Sequence, residues 1–279
     1  MDQFKATVVA DSYSPETGKQ LTTLQLTYPR FVHPEFMTHR VFSRNASSSR
    51  AIPVAKVIDQ VRNNPAMPVH WGKNQPGMQA HEELEDTTEA VQSWKRAARQ
   101  AADVAEHMNM IGLHKQVTNR ILEPFQLIHV VVSATEWDNF FALRDHKDAQ
   151  PEIQTLARLM KEAMDESSYI VRSAMRSENE QWHLPYVTEE ERALYRLDVL
   201  IKCSAARCAR VSYMKHDGTN PSPTEDVALY DRLVGADPIH ASPVEHQARN
   251  TGSNVAFGNF WAWRQHRQDV EALIRNRTK

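Results

Sequence analysis

The run FQLIHVVVS, residues 125–133, gives the strongest indication of a buried strand in this sequence. It is short, apolar and rich in β-branched residues, which is typical of a strand buried on both faces. Two runs near the N-terminus, FKATVVA at residues 4–10 and LTTLQLTY at residues 21–28, also predict strands. Ser14 and Gly18 lie between them and are turn residues, so we expect a turn to join these two strands.

Helical periodicity dominates the rest of the chain, because apolar residues recur there at three- and four-residue spacing. Helices are predicted over residues 34–42, 51–62 and 82–111, from Pro151 onward, and after capping-box patterns at Thr188 and Ser222. No linker or repeat divides the chain. The pattern therefore predicts an α+β fold in a single domain, residues 1–279, with residues 247–279 as an amphipathic docking tail.

Composition limits the classes of protein to consider. The 279 residues are 41% hydrophobic and 24% charged, which excludes disordered and collagen-like chains. Lys and Arg number 33 against 35 Asp and Glu, for a net charge of -2. A chain without a global basic field is a poor match for a duplex-DNA binder, so we expect no nucleic-acid partner. A local cationic pocket for a phosphorylated small molecule remains open.

Targeting and cofactor motifs are missing from the sequence. The N-terminal residues lack the basic start and apolar core of a signal peptide, and no run approaches the roughly 18 apolar residues of a membrane span. We expect a cytoplasmic protein with no membrane partner and with Cys203 and Cys208 reduced. The sequence has no GxGxxG motif and no P-loop, and its cysteines lack metal-ligand spacing, so we expect no metal site.

The segment THRVFSRNASSSR, residues 38–50, is the most unusual part of the chain. Three arginines, one histidine, one asparagine and four serines lie within thirteen residues. Guanidinium groups bind phosphate through paired donors, and hydroxyl groups add neutral donors. The segment therefore predicts an anion site, and the alternative interpretation is a polar loop after a helix.

Three further segments carry candidate functional residues, and each has a structural alternative. WDNFFALR, residues 137–144, places aromatic rings and an arginine on one side of a helix, which is also the pattern of an aromatic core stripe. The small residues of AARCARVSY, residues 205–213, are typical of close helix packing. In HASPVEH, residues 240–246, Ser242 and Pro243 suit the start of a helix.

Together these segments resemble those of one family, the flavin-dependent thymidylate synthases. Its hallmark is Arg-His-Arg followed by seven residues and Ser, and here the triplet at 38–40 precedes Ser48 at that spacing. WDNFFALR is similar to the family segment that carries the substrate-activating arginine, and NRILEP, residues 119–124, resembles the segment of a second substrate arginine. ARVSY and HxSPxEH resemble further signatures of the family.

The resemblance implies reductive methylation of dUMP to dTMP in a mostly helical fold around a small, largely antiparallel sheet. It implies FAD, NADPH and methylenetetrahydrofolate as cofactors, a homotetramer with sites shared between subunits, and Arg144 as the catalytic residue. The residues implied for the pyrimidine nucleotide are Glu35, Thr38, Ser47, Ser48, Arg50, Arg120 and Arg144. The residues implied for FAD are His39, Arg40, Asn45, Ser133, Asn139, Ser212, His240 and Ser242.

The order of the segments departs from the family, because ARVSY and HxSPxEH come last here and first in the family. This order indicates a circular permutation, with the cut after His246 and the restart near Leu21. It predicts that residues 21–24 and 246–248 lie side by side and join one sheet.

Individual residues depart from the family as well. Thr38 replaces the first arginine of the hallmark, and Arg264 and Arg267 are candidates to supply the missing charge. Glu35 stands where glutamine is usual, and a carboxylate accepts a hydrogen bond from a cytosine amino group. One alternative is therefore a flavin- and folate-dependent methylase or hydroxymethylase of another pyrimidine deoxynucleotide, such as dCMP. A second is a non-catalytic nucleotide- or RNA-binding protein.

Overall fold

The computed structural model describes residues 3–213 and 221–277 of the chain. Its strands are β1 (Lys5–Tyr13), β2 (Gln20–Pro29), β3 (Ser43–Ala46), β4 (Leu127–Ala134), β5 (Ile170–Val171), β6 (Trp182–His183), β7 (Ala248–Asn250), β8 (Ala256–Phe257), β9 (Phe260–Trp261) and β10 (Trp263–Gln265). Within these residues the largest sheet has five strands in the order β3-β4-β2-β1-β5. Its neighbours pair antiparallel except β1 with β5, which confirms the largely antiparallel sheet.

Helices surround this sheet, which confirms the α+β class. They are α1 (His33–Met37), α2 (Val54–Asn63), α3 (Thr88–Met110), α4 (Lys115–Thr118), α5 (Asp138–Arg144), α6 (Pro151–Asp165), α7 (Glu189–Leu194), α8 (Leu197–Tyr213), α9 (Pro223–Val234) and α10 (His266–Arg277). Both predicted capping boxes are present, at Thr188 before α7 and at Ser222 before α9. In each, the side chain accepts a hydrogen bond from a backbone N–H that the first turn leaves unpaired.

The main core lies between the sheet and α6. Leu24 and Leu26 of β2 and Val130 and Val132 of β4 are fully buried and belong to one cluster with the apolar face of α6. The helix contributes the i, i+3, i+7 stripe Ile153, Leu156 and Met160, which are all 0% exposed. This packing fixes the position of β4. Helix α5 follows β4 closely in the chain and ends at Arg144.

Several sequence-based boundaries were wrong for identifiable reasons. The helix expected over 34–42 ends at Met37, and β3 follows it because residues 43–46 pair with β4 at the edge of the sheet. The sequence of β3 does not alternate apolar and polar residues, so no sequence pattern predicted this strand. Thr135 precedes α5, and as a threonine it is a candidate cap for that helix. It makes no cap hydrogen bond, and its Oγ1 instead accepts from the backbone N of Trp261 at 3.1 Å. The long helix starts at Thr88 rather than at residue 82.

The junction expected from the permutation is confirmed in part. Leu21 packs in one buried cluster with Ala248, Phe260 and Trp263, so the two chain segments lie side by side as predicted. The expectation that they join one sheet is wrong, because β2 is paired on both edges, by β1 and by β4. Ala248 instead belongs to a second sheet, in the order β10-β7-β6.

The C-terminal segment is packed into the monomer. Trp263 of β10 is 0% exposed, and β7 pairs with both β6 and β10. A hairpin of β8 and β9 reaches the sheet at Ser43, whose hydroxyl accepts from Asn259 Nδ2 at 3.3 Å. The C-terminal segment is therefore part of the folded core of its own chain.

Candidate functional site

Arg144 brings together two segments that are about a hundred residues apart. Its Nε donates to His39 Nε2 at 2.9 Å, and its Nη2 donates to Thr38 Oγ1 at 3.1 Å and to the Glu35 carbonyl oxygen at 3.4 Å. The Thr38 hydroxyl in turn donates to the Glu35 carbonyl at 2.7 Å. The structure thus places the end of WDNFFALR on the hallmark segment.

His39 serves Arg144 as a neutral acceptor. Burial, together with the positive charges of Arg144 and Arg44, lowers the pKa of His39 to about 4. Because Nε2 accepts from Arg144, the ring proton lies on Nδ1. The rings of Phe42 and Phe140 lie 5.7 and 4.9 Å from the imidazole and shield it from water.

The charge of Arg144 is held without being neutralised. Within residues 3–213 and 221–277 this guanidinium contacts neutral acceptors and forms no ion pair. Glu35 lies close by, and its Oε2 is buried with no hydrogen-bond partner in the same part of the chain. Arg40 and Asn139, both predicted for FAD, are exposed beside this cluster, as are the apolar side chains of Met37, Val41 and Leu143.

A cleft of about 430 Å³ lies at the other side of the hallmark segment. It is lined by Asn45, Ala46, Ser48, Arg50, Ala51, Ala209, Leu233, His240, Ser242 and Pro243. It brings Asn45, His240 and Ser242, predicted for FAD, together with Ser48 and Arg50, predicted for the nucleotide. Ser242 Oγ donates to Asn45 Oδ1 at 3.2 Å, and Asn45 Nδ2 donates to the Cys208 carbonyl at 2.8 Å.

The alternation of β3 separates the two groups of predicted residues. The side chains of Ser43 and Asn45 contact the C-terminal third of the chain. Arg44 lies on the opposite face, where Nη1 donates to the carbonyls of Met37 and His39 at 2.9 and 3.0 Å. His39 and Arg144 therefore lie on the Arg44 face of β3, and the Asn45 side chain lies on the other. The cleft opens at the outer edge of this edge strand, where Asn45 and Ala46 both line it.

Arg120 joins the site through a shared carboxylate. Glu123 Oε1 accepts from Arg120 Nη1 at 2.9 Å and from Ser49 Oγ at 2.7 Å, and it lies 3.2 Å from Arg30 Nη2. The second predicted substrate arginine therefore lies beside residues 47–50. Sequence reasoning assigned no role to Arg30, Arg44 or Glu123, although Arg44 lies inside the hallmark segment.

Two predicted ligand-binding serines are buried in structural hydrogen bonds. Ser47 Oγ accepts from the His129 backbone N at 3.1 Å, and Ser133 Oγ lies 2.6 Å from Thr23 Oγ1. Both serines are 3% exposed or less, so neither offers a ligand an accessible atom in this chain. The side chain of Ser212 lies outside the described part of the structure.

Arg264 and Arg267, the candidates to supply the charge missing at Thr38, form ion pairs with other residues. Arg264 binds Asp269 at 2.7 Å, and Arg267 binds Glu245 and Glu271. The cation that contacts Thr38 is Arg144. Within the described residues of one chain, neither Arg264 nor Arg267 contacts Thr38.

None of the described helices is long and apolar enough to span a membrane. Within the same residues, no group of three His, Cys, Asp or Glu side chains is arranged to hold a metal ion.

Comparisons with known proteins place the chain in a family. The family described as thymidylate synthase complementing protein matches residues 20–167, over half of the chain. Two solved structures of a UMP/dUMP methylase, PolB from Streptomyces cacaoi, are similar to it. The complex with 5-Br dUMP is 17% identical, with a TM-score of 0.46 over 59% of this chain and 90% of that one. The complex with 5-Br UMP is 15% identical, with a TM-score of 0.46 over 59% and 89%.

No curated protein matches the chain. The family match covers the hallmark segment, the NRILEP segment and the helix that ends at Arg144. In the structure the last two each contact the hallmark segment, through Glu123 and through Arg144. The chain therefore belongs to the thymidylate synthase complementing proteins, the flavin-dependent thymidylate synthase family.

Proposed function

We propose that the chain catalyses the reductive methylation of dUMP to dTMP. Methylenetetrahydrofolate would supply the carbon and NADPH the electrons, and FAD, when bound, would supply the hydride-transfer chemistry. The observation that carries the proposal is the contact of Arg144 with Thr38 and His39. It joins two family segments around one guanidinium whose charge is not neutralised.

Arg144 is suited to activate a pyrimidine ring. Carbon 5 of uracil becomes nucleophilic when negative charge is stabilised at N3 and O4, and a guanidinium stabilises such charge through a rigid set of donors. An ion pair with a carboxylate would neutralise the positive charge of Arg144. His39 is neutral, so the charge can interact with a bound pyrimidine ring. The nearby rings of Phe140 and Phe42 exclude water, which strengthens the interaction.

The residues of the cleft fit a phosphate-bearing ligand. Its volume is within the usual range of small-molecule sites, and Arg50 and Ser48 supply a cation and a hydroxyl group. We assign the nucleotide to Glu35, Thr38, Ser48, Arg50, Arg120 and Arg144, and FAD to His39, Arg40, Asn45, Asn139, His240 and Ser242. Ser47 and Ser133 are omitted because they are buried.

The division of these residues across β3 supports a shared site. His39 and Asn45 lie on opposite faces of the strand, so one ligand on one face of a single chain does not contact both sets. In a homotetramer, the His39 side of one subunit and the Asn45 side of another can form one site, so that one ligand contacts both sets of residues. Light scattering of the purified protein is expected to give the mass of four chains, and an active monomer would contradict the shared site.

Flavin content separates this enzyme from a non-catalytic nucleotide- or RNA-binding protein. The purified protein is expected to be yellow, and Arg40→Ala is expected to lose the flavin while remaining folded, because Arg40 is exposed. Incubation with dUMP and the other substrates should yield a product heavier by one methylene group. A colourless wild-type protein, or Arg40→Ala with full FAD occupancy, would contradict the assignment.

Glu35 supports the alternative substrate dCMP. Its buried Oε2 is an acceptor without a partner in the described residues, and a cytosine amino group is a donor of matching chemistry. Parallel assays with dUMP and dCMP on the wild type and on Glu35→Gln test this. If Glu35 reads cytosine, the wild type prefers dCMP and Glu35→Gln shifts the ratio toward dUMP by about tenfold or more. An unchanged ratio removes Glu35 from base recognition.

A further inference from the structure

Five buried side chains form an unbroken line of hydrogen bonds between the two larger sheets. Ser12 Oγ lies 2.8 Å from His183 Nδ1, and His183 Nε2 lies 2.7 Å from Thr23 Oγ1. Thr23 Oγ1 lies 2.6 Å from Ser133 Oγ, which lies 2.8 Å from His246 Nδ1. Each of the five residues is 3% exposed or less. We call this line the hydroxyl–imidazole chain.

Each link of the hydroxyl–imidazole chain contains one hydrogen. Burial lowers the pKa of His246 to about 3 and holds the pKa of His183 well below its usual value, so both rings are neutral at pH 7. A neutral imidazole donates through one nitrogen and accepts through the other, and a hydroxyl group donates once. When each hydroxyl hydrogen is used within the line, the direction of one link therefore determines the direction of the next.

Only two arrangements satisfy every link and also use every hydroxyl hydrogen within the line. In the first, Ser133 donates to His246 Nδ1, Thr23 donates to Ser133, and His183 Nε2 donates to Thr23; both rings then carry their proton on Nε2. In the second arrangement every donor becomes an acceptor, and both imidazole rings carry their proton on Nδ1. Opposite tautomers leave a buried hydroxyl hydrogen unpaired or bring two lone pairs together, and a lost buried hydrogen bond costs about 1–3 kcal/mol.

One end of the hydroxyl–imidazole chain is open. His246 Nε2 is buried and has no partner among the described residues. The residue belongs to the HxSPxEH segment, in which Ser242 and Pro243 line the cleft. No role was assigned to His246 by the family motifs or by the proposed function.

We propose that the hydroxyl–imidazole chain makes His183 a positioning residue for His246. It sets which nitrogen of His246 carries the proton, and so whether the buried Nε2 offers a donor or an acceptor to a polar group bound beside it. Because His183 lies on β6, outside the matched residues 20–167, the inference concerns a part of the chain that the family match does not cover. It does not depend on the proposed methylation.

The test is the tautomer of each ring, read by nitrogen-15 NMR of the full-length labelled protein at pH 7. His183 and His246 are expected to show the same tautomer, and opposite tautomers would overturn the proposal. Thr23→Val removes the middle hydroxyl group, so the ring nitrogen shifts of both histidines are expected to change. Unchanged shifts in a folded Thr23→Val would also overturn it.

Two variants serve as controls for this experiment. Thr22→Val is the matched control, because Thr22 is equally buried but its hydroxyl donates to Asp11 Oδ1 at 3.1 Å, outside the chain of five. It is expected to leave both rings unchanged. Thr23→Ser retains the hydroxyl group and is expected to retain the wild-type tautomers. If Thr23→Val fails to fold, the tautomers of His183 and His246 in the wild type decide the question.

Discussion

Two arginine-rich regions of this protein satisfy their charges in opposite ways. Between α8 and α9, Arg207 and Arg210 bind the two oxygens of Asp226 at 2.8 and 2.7 Å, and the Asp226 side chain is completely buried. Arg207 also binds Glu191 at 2.5 Å. At the hallmark segment, Arg144 is held by neutral acceptors instead.

The difference separates structural arginines from arginines available to a ligand. A cation paired with buried carboxylates has its charge neutralised, so the pair links helices and offers little to a substrate. A cation held by an imidazole and a hydroxyl group is oriented but keeps its charge. The ARVSY segment, which contains Arg210, is therefore structural at this position, while the WDNFFALR helix presents a charge.

The largest expected effect lies in the structural region. Asp226→Asn takes the buried carboxylate away from the half-buried guanidinium of Arg210, and we expect the free energy of unfolding to fall by about 3–5 kcal/mol. Urea denaturation followed by circular dichroism measures the change. The matched control is Asp231→Asn on the same helix, whose exposed pair with Lys202 at 2.8 Å contributes about 0–1 kcal/mol. Equal losses of unfolding free energy in Asp226→Asn and Asp231→Asn would contradict a structural role for the Asp226 ion pairs.

The next effect concerns activity rather than stability. Arg144→Lys keeps the charge but loses the planar set of donors, so we expect turnover to fall about a hundredfold or more with folding and flavin content intact. Steady-state assays measure it. Arg158→Lys is the control, since Arg158 is exposed and pairs with Asp145, beside Arg144. Near-normal turnover in Arg144→Lys would falsify the catalytic role and leave Arg144 as a helix-end charge, worth about 0.3–1 kcal/mol.

The smallest effect is a pH dependence at His39. Its pKa is about 4 in the folded chain and 6.5 in the unfolded chain. The unfolded state therefore binds more protons between these values, and stability falls as pH drops from 6.5 toward 4. His39→Gln retains a neutral acceptor for Arg144, so it should lose less stability than the wild type between pH 7 and pH 5.

Unfolding free energies at pH 7, 6 and 5 test this expectation. Other buried histidines contribute with the same sign, so the informative quantity is the difference between His39→Gln and the wild type at each pH. His107→Gln, at an exposed position of α3, should show no such trend. A constant difference between His39→Gln and the wild type would show that His39 does not titrate as described.

The local elements were predictable where one signal sufficed. The apolar run of β4, the stripe of α6 and the capping boxes at Thr188 and Ser222 each depend on residues close in sequence. The hallmark segment and Arg144 were also identifiable, because residue types at fixed spacing carry the family resemblance. Strand β3 was not, since its polar residues become a strand only by pairing with β4.

Sequence alone determined the α+β class, the family and which arginines to examine, because periodicity, capping patterns and motif spacing are local properties of a chain. Only the tertiary structure decided which arginine is neutralised. Arg210 and Arg144 both belong to short motifs in the sequence, and the partner of each comes from another element of the fold. The same holds for Ser133, whose hydroxyl group is buried by contacts with Thr23 and His246. Charge compensation and burial depend on neighbours in space, which no local spacing specifies.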